Sequence, residues 1–267
     1  MVKIPAGRFL MGAAKHDHFP SPSELPRVEV TLESFLISET TITQRQWEIV
    51  ANWEPVDRPL KHRPSYFKES GLPVEQVSWY DAMEFCARLR KKTRVAYTLP
   101  TEAQWEYACR AGTTSDYSFG NSLTPDRANF DTQWDYLSKL PESRDQTVEG
   151  RFYPPNGWGI YGMHGNVYEW CLDSWYGTLR GMPQDGSARI KPADPSLKAV
   201  HAVRGGGWMS APQECRSSAR KGVQDYPDGC SDVGFRVVAP EPPELPTEAF
   251  PKSAVKVKRP TPQGPWR

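Results

Sequence analysis

The stretch that decides the fold runs from Leu99 to Gly112 and reads LPTEAQWEYACRAG. Thr101 followed by Gln104 is a capping box, in which two side chains satisfy the free N–H groups at a helix N-terminus. A helix is therefore predicted to begin here and to end at Gly112, because glycine tolerates the left-handed conformation that closes helices. One face of that helix would be apolar and would carry Trp105, Ala108 and Cys109.

The same signals recur upstream of this helix. Thr43 and Gln46 form a second capping box, and Ser78 opens a third helix with an apolar face at helical spacing. Residues 27–42 alternate apolar and polar side chains, which is typical of strands. The sequence therefore predicts a few strands followed by three short helices.

Downstream of Gly112 the pattern becomes irregular. Residues 113–200 are rich in turn-forming residues, and a stretch of this length without regular structure is usually functional or stabilised by bound ions. Two short apolar segments follow, AVRGGGW at 202–208 and VGFRVV at 233–238, and they are predicted to pair as strands. The order of elements favours an α+β fold with low regular secondary structure.

The composition excludes several classes of protein. The chain has 267 residues, a formal net charge of +1 and 38% hydrophobic residues. A balanced charge gives no reason to expect nucleic-acid binding, and no apolar run reaches the length of a membrane span. The N-terminus lacks a signal-peptide pattern, so a cytoplasmic protein is expected. The cysteines of the chain lack the CxxC spacing of zinc sites. Cys86 and Cys109 are predicted to be buried and inert.

Several separated stretches together resemble one known family. They are MVKIPAGRFLMG, VSWYDAMEFC, LPTEAQWEYACRAG, PPNGWGIYGMHGNVYEWCLD, VRGGGW and VGFRVV. In this order they resemble the formylglycine-generating enzyme family, also called the sulfatase-modifying-factor family. The resemblance covers residues 1–238 and implies a fold of the C-type-lectin type, with short helices and a small twisted antiparallel sheet. Residues 239–267 form a Pro-rich basic tail, in which Lys252, Lys256, Lys258 and Arg259 give only a weak indication of nucleic-acid binding.

Members of this family do different things, so the fold alone does not choose a function. Some oxidise a cysteine of sulfatases with copper held by two thiols, and some belong to iron-dependent sulfoxide synthases. Others are variable ligand-binding proteins of diversity-generating retroelements. The iron-dependent type needs a three-histidine set, and the histidines here are scattered along the chain.

The glycines Gly205–Gly206 align the thiol pair of the copper enzymes with Ser210 and Cys215. Copper(I) prefers paired thiolates, so a hydroxyl at Ser210 makes copper binding unexpected. An alternative alignment, anchored on CRSSAR, makes Cys215 a structural cysteine in a shorter loop. Cys230 supplies a second sulfur only if its loop folds back onto Cys215, and the family's active-site serine is replaced by Gly207.

Calcium is the metal that the resemblance implies. GMHGNVYEW at 162–170 resembles the family's calcium loop, in which the Gly165 and Val167 carbonyls join the Glu169 carboxylate. This chain has Gly162 where the family usually places a side-chain ligand. A second set of ligands is suggested by Asn129 and the Phe130 carbonyl, with Asp131 or Asp135. Such hard oxygen donors suit calcium, although the same residues also fix turns.

The segment 208–232, between the last two predicted strands, is predicted to bind the ligand. It mixes aromatic and polar residues on a loop held by a rigid sheet, which suits binding of a protein or a small molecule. Trp208 itself is expected in the core, and the later positions are expected to be exposed. Arg204, Arg220 and Arg236 are expected to pair internally with carboxylates such as Glu106 or Glu169. The candidate ligand-binding residues are Trp208, Met209, Gln213, Glu214, Arg216, Lys221, Gln224, Asp225 and Tyr226.

Three hypotheses for function remain. The favoured one is a family member without the catalytic cysteine pair, which acts as a binding module of the retroelement variable-protein type. The second is a copper- or thiol-dependent oxidase that uses Cys215. The third is a structural domain of a larger assembly, tethered by the Pro-rich tail.

Overall fold

The computed structural model describes residues 1–14, 17, 19–134, 143–190 and 200–241. Within these ranges the chain forms short helices and strands joined by long loops, so the predicted α+β class is confirmed. The tail cations Lys252–Arg259 and the candidate ligand Asp135 lie outside the described residues. Among the described helices, none has an apolar stretch of membrane-spanning length.

Each of the three helices begins where the sequence predicted. They are α1 (Gln44–Ala51), α2 (Trp79–Thr93) and α3 (Glu102–Arg110). At α3 the Thr101 hydroxyl accepts the Gln104 N–H at 3.1 Å, and the Gln104 side chain accepts the Thr101 N–H at 3.0 Å. Both Ala111 and Gly112 adopt positive φ, so the left-handed closure is confirmed and begins one residue earlier than predicted.

The strands of the described residues are β1 Val2–Ile4, β2 Gly7–Met11, β3 Val28–Leu32, β4 Phe35–Ile37, β5 Tyr168–Ser174, β6 Val200–Arg204, β7 Lys221–Gln224, β8 Val233–Gly234 and β9 Val238–Pro240. They form three small sheets. The first joins β1, β4 and β9, the second pairs β2 with β3, and the third has the order β7-β6-β5-β8.

The predicted pairing of the last two apolar segments is wrong. Strand β6 and strand β8 both pair with β5, which lies between them, and β5–β8 is parallel. The segment 233–238 also divides, because its last residue begins β9 in a different sheet. The sheet is therefore mixed rather than wholly antiparallel. Strand β9 reaches Pro240, two residues beyond the predicted domain boundary.

Buried ion pairs join carboxylates of α3 and β5 to arginines that lie in β6 or next to the later strands. Arg236 bonds both oxygens of Glu169 at 2.5 and 2.7 Å, and Arg220 bonds both oxygens of Glu102 at 2.6 Å. Arg204 pairs with Glu106. The expectation that these arginines pair internally is confirmed. Because every one of these groups is buried, the geometry must be well satisfied to offset the desolvation of the charges.

Candidate functional site

The loop after β6 begins with a turn that only glycine can form. Gly205 and Gly206 have φ of +96° and +76°, and a Cβ on Gly206 would lie 2.5 Å from Cys215 Sγ. The glycine pair therefore lets the backbone pass close to Cys215. Ser210 and Cys215, which would be catalytic only under the oxidase hypothesis, both lie buried on the inner side of the loop.

Ser210 serves the turn. Its side-chain oxygen accepts the Gly207 N–H at 2.9 Å, and its carbonyl accepts the Asp131 N–H at 2.9 Å. The residue is buried, with 3% of its surface exposed. An alcohol oxygen occupied in this way is a poor ligand for copper(I), which prefers thiolates.

Cys215 lies in a small apolar cluster. The thiol is fully buried, and its polar contact is the Ala211 carbonyl, at 3.7 Å. Burial raises the pKa of this thiol, because a thiolate would be desolvated there. Since the thiolate is the form that attacks and binds metal, the arrangement fits neither a nucleophile nor a two-thiol copper site. Its apolar neighbours are Tyr117, Leu123, Ala128 and Phe130.

A second thiol has a histidine neighbour that sequence reasoning did not identify. Cys109 Sγ lies 3.7 Å from His164 Nε2, and both side chains are buried. The Ser118 N–H donates to Nε2 at 3.1 Å, so the proton is on Nδ1 and is donated to the Cys215 carbonyl at 2.8 Å. Burial lowers the pKa of His164 to about 4 and raises that of Cys109 to about 12. The pair is therefore neutral at pH 7, as the prediction of a buried inert Cys109 requires.

The carboxylate predicted to bind calcium is already engaged. Arg236 bonds both oxygens of Glu169, and the Trp105 indole N–H donates to one of them at 2.7 Å. Gly165 offers its carbonyl to the Val167 N–H instead. A metal ion at Glu169 would have to displace a buried guanidinium, so these residues do not fit the predicted calcium loop.

The second predicted calcium set forms a polar network of its own. The Asn129 amide donates to the Gln146 carbonyl at 2.8 Å and to the Asn166 side chain at 3.1 Å. The Asn129 carbonyl accepts the Asn166 N–H at 2.7 Å. Within the described residues there is no group of three or more His, Cys, Asp or Glu side chains that could hold a metal ion. The contacts of Asn129 favour its alternative role in fixing a turn.

The predicted ligand-binding residues divide into exposed and internal positions. Met209 and Tyr226 are each 48% exposed, and Gln213, Glu214, Lys221 and Gln224 are exposed or half-buried. Arg216 is not exposed, which corrects the prediction: it is buried and bonds both oxygens of Glu24. Asp225 accepts the Trp79 N–H at 2.7 Å, and it thereby helps to cap α2.

Trp208 is half-buried and does not belong to the core, contrary to expectation. Its indole N–H donates to the Ser231 carbonyl at 3.2 Å, and its ring meets Phe67 edge-on with 5.6 Å between centroids. Phe67 was not predicted, because it lies far away in sequence. The neighbouring Tyr66 is 66% exposed. We define the recognition surface as a set of eight side chains, in which the Tyr168 ring lies beneath Lys221. The other members are Tyr66, Phe67, Trp208, Met209, Glu214, Lys221 and Asp232.

Comparison with known proteins agrees with this architecture. The profile described as the sulfatase-modifying factor enzyme 1-like domain matches residues 1–240. The chain is 32% identical to the mouse formylglycine-generating enzyme over 90% of this chain and 74% of the relative. It is 28% identical to a mouse protein described as inactive C-alpha-formylglycine-generating enzyme 2, over 88% of this chain and 84% of the relative.

Solved structures show the same fold. PvdO from Pseudomonas aeruginosa superposes with a TM-score of 0.75 at 28% identity, over 90% of this chain and 93% of PvdO. Treponema denticola variable protein 1 superposes with a TM-score of 0.69 at 24% identity, over 90% and 95% of the two chains. The chain belongs to the formylglycine-generating enzyme, or sulfatase-modifying factor, family.

Proposed function

We propose that this family member is a binding module and that it does not carry out copper–thiol oxidation. The observation that supports the proposal is the state of the two candidate catalytic positions. Ser210 offers a hydroxyl engaged with Gly207, and Cys215 is a fully buried thiol. A linear copper(I) site needs two accessible thiolates, and these positions offer none.

The recognition surface is the place where a ligand would bind. Half-buried Trp208 and exposed Met209 follow a rigid glycine turn, and Phe67 supports the indole ring. Large side chains on a fixed loop give contact area at low cost in conformational entropy. A protein or peptide ligand with apolar side chains suits this surface.

A copper titration tests the first half of the proposal. The reduced chain, titrated with copper(I) against a chromogenic chelator, should show no tight stoichiometric site. It should also leave a cysteine-containing sulfatase peptide unoxidised. Tight copper binding that disappears in Cys215→Ser, or formation of the peptide aldehyde, would instead establish the oxidase.

A peptide-display selection tests the second half. Peptides selected on the unmodified chain should lose binding to Met209→Ser and keep it for Ile49→Ser. The two residues are matched, since they are 48% and 50% exposed, and Ile49 lies on α1 outside the recognition surface. Selected peptides that bind both variants equally well would place recognition elsewhere.

A further inference from the structure

One site within the recognition surface already holds a positive charge, the ammonium of Lys221. The Lys221 ammonium lies 4.7 Å from the centroid of the Tyr168 ring and 3.8 Å from a Glu214 oxygen. An ammonium over an aromatic face and beside a carboxylate is the arrangement by which proteins bind organic cations. Lys221 is half exposed, so its side chain can leave this position for water.

The Glu214 carboxylate at this site is held in a fixed orientation before any ligand binds. One Glu214 oxygen accepts the Tyr168 hydroxyl at 3.0 Å, and the other accepts the Ala211 N–H at 3.1 Å. Tyr168 is buried, so the ring is held in place as well. A ligand ammonium would therefore meet a ring and a carboxylate that need no rearrangement.

The surroundings carry more negative than positive charge. Asp232 flanks Gly207 on the side next to the Tyr168 ring, and burial raises its pKa while the Lys221 charge opposes that rise. Two carboxylates, Glu214 and Asp232, therefore share the Lys221 ammonium. With Lys221 removed, these two carboxylates would have a deficit of positive charge.

We propose that the recognition surface binds a lysine-type primary ammonium, which takes the place of Lys221 on the Tyr168 ring beside Glu214. The inference rests on the proposed binding function and names the chemistry of its ligand. Lys221 acts as an internal competitor, so the unmodified chain binds weakly until the rest of the ligand contributes. The compact ammonium is preferred over a guanidinium, because the place is filled by an ammonium of the same size and shape.

The test uses the variant Lys221→Ala and two blocked amino acids, Nα-acetyl-lysine methylamide and its uncharged analogue, Nα-acetyl-norleucine methylamide. By calorimetry, Lys221→Ala should bind the lysine probe about tenfold more tightly than the unmodified chain, as expected for loss of one exposed ion pair and one cation–π contact. The norleucine probe should show no such gain. Adding Glu214→Gln to Lys221→Ala should abolish the gain.

Lys61→Ala is the matched control. Lys61 pairs at 2.7 Å with Asp228, which belongs to the segment 208–232. This variant therefore removes the same charge without uncovering the face of the Tyr168 ring. No gain in Lys221→Ala, an equal gain for norleucine, or an equal gain in Lys61→Ala would overturn the inference. The Met209 selection is independent of this result, so failure here leaves the proposed binding function standing.

A measurement on the unmodified chain avoids any effect of substitution on folding. The Lys221 side-chain protons lie over the Tyr168 ring and should have NMR signals shifted upfield. Saturation with the lysine probe should return these signals to the positions of a free lysine. Unchanged Lys221 signals at saturation would show that the probe binds somewhere else.

Discussion

Replacing Arg236 by methionine would remove the partner of a fully buried carboxylate. Arg236 donates two hydrogen bonds to Glu169, at 2.5 and 2.7 Å, and one each to the Ser38 and Tyr161 carbonyls at 3.0 Å. In the variant, the Trp105 indole N–H is the hydrogen-bond donor that remains for Glu169. Breaking one side of a buried pair typically destabilises a protein by about 3–5 kcal/mol. We expect that loss in the free energy of unfolding, measured by urea denaturation at pH 7.5.

Arg63→Met provides the comparison for this experiment. Arg63 pairs with Glu48 at 2.9 Å, but its side chain is 75% exposed, and exposed pairs contribute at most about 1 kcal/mol. The double variant with Glu169→Gln should be less destabilised than the sum of the two single changes, because neither charge is then left buried alone. Equal losses in Arg236→Met and Arg63→Met, or strict additivity, would refute the reasoning.

Four further outcomes are expected. Ellman's reagent should modify half-buried Cys230 in the native chain long before fully buried Cys215; modification of Cys215 first would contradict its burial. Gly206→Ala should lose at least about 1–2 kcal/mol of unfolding free energy, since it forces a left-handed residue against a thiol. Burial raises the pKa of Glu75 to about 7, so the folded state holds a proton that the unfolded state releases. The contribution of Glu75 to stability should then fall as pH rises from 5.5 to 8, whereas buried His164 contributes in the opposite direction. The unfolding free energy of the unmodified chain minus that of Glu75→Gln should therefore fall over this pH range. Calcium and EGTA should leave the unfolding midpoint unchanged, because Glu169 is engaged.

The local signals of this sequence proved reliable where short-range chemistry decides the structure. Thr43, Ser78 and Thr101 each begin a helix, because a capping side chain needs only its neighbours three residues along. The arginine pairing was predictable for a different reason: a buried guanidinium in a loop-rich chain must find carboxylates or carbonyls.

The errors share a cause in long-range packing. Strand β5 was missed because it is buried on both faces and therefore lacks the alternation that identifies strands. Once β5 lies between them, β6 and β8 cannot pair with each other. Phe67, on which the Trp208 ring packs, is distant from Trp208 in sequence. Glu24 is likewise distant from Arg216, with which it forms a buried ion pair. No local pattern of residues could have indicated those contacts.

The pairing of the two ends of the domain bears on how the chain is made. Strand β4 gains its second neighbouring strand only when β9 has been synthesised. Glu24 can pair with Arg216 only when most of the sequence has been made. On a ribosome, the early segments therefore emerge with a free strand edge and an unneutralised carboxylate. These two contacts therefore form only after β9 and Arg216 have left the exit tunnel, and contacts between residues so distant in sequence are slow to form.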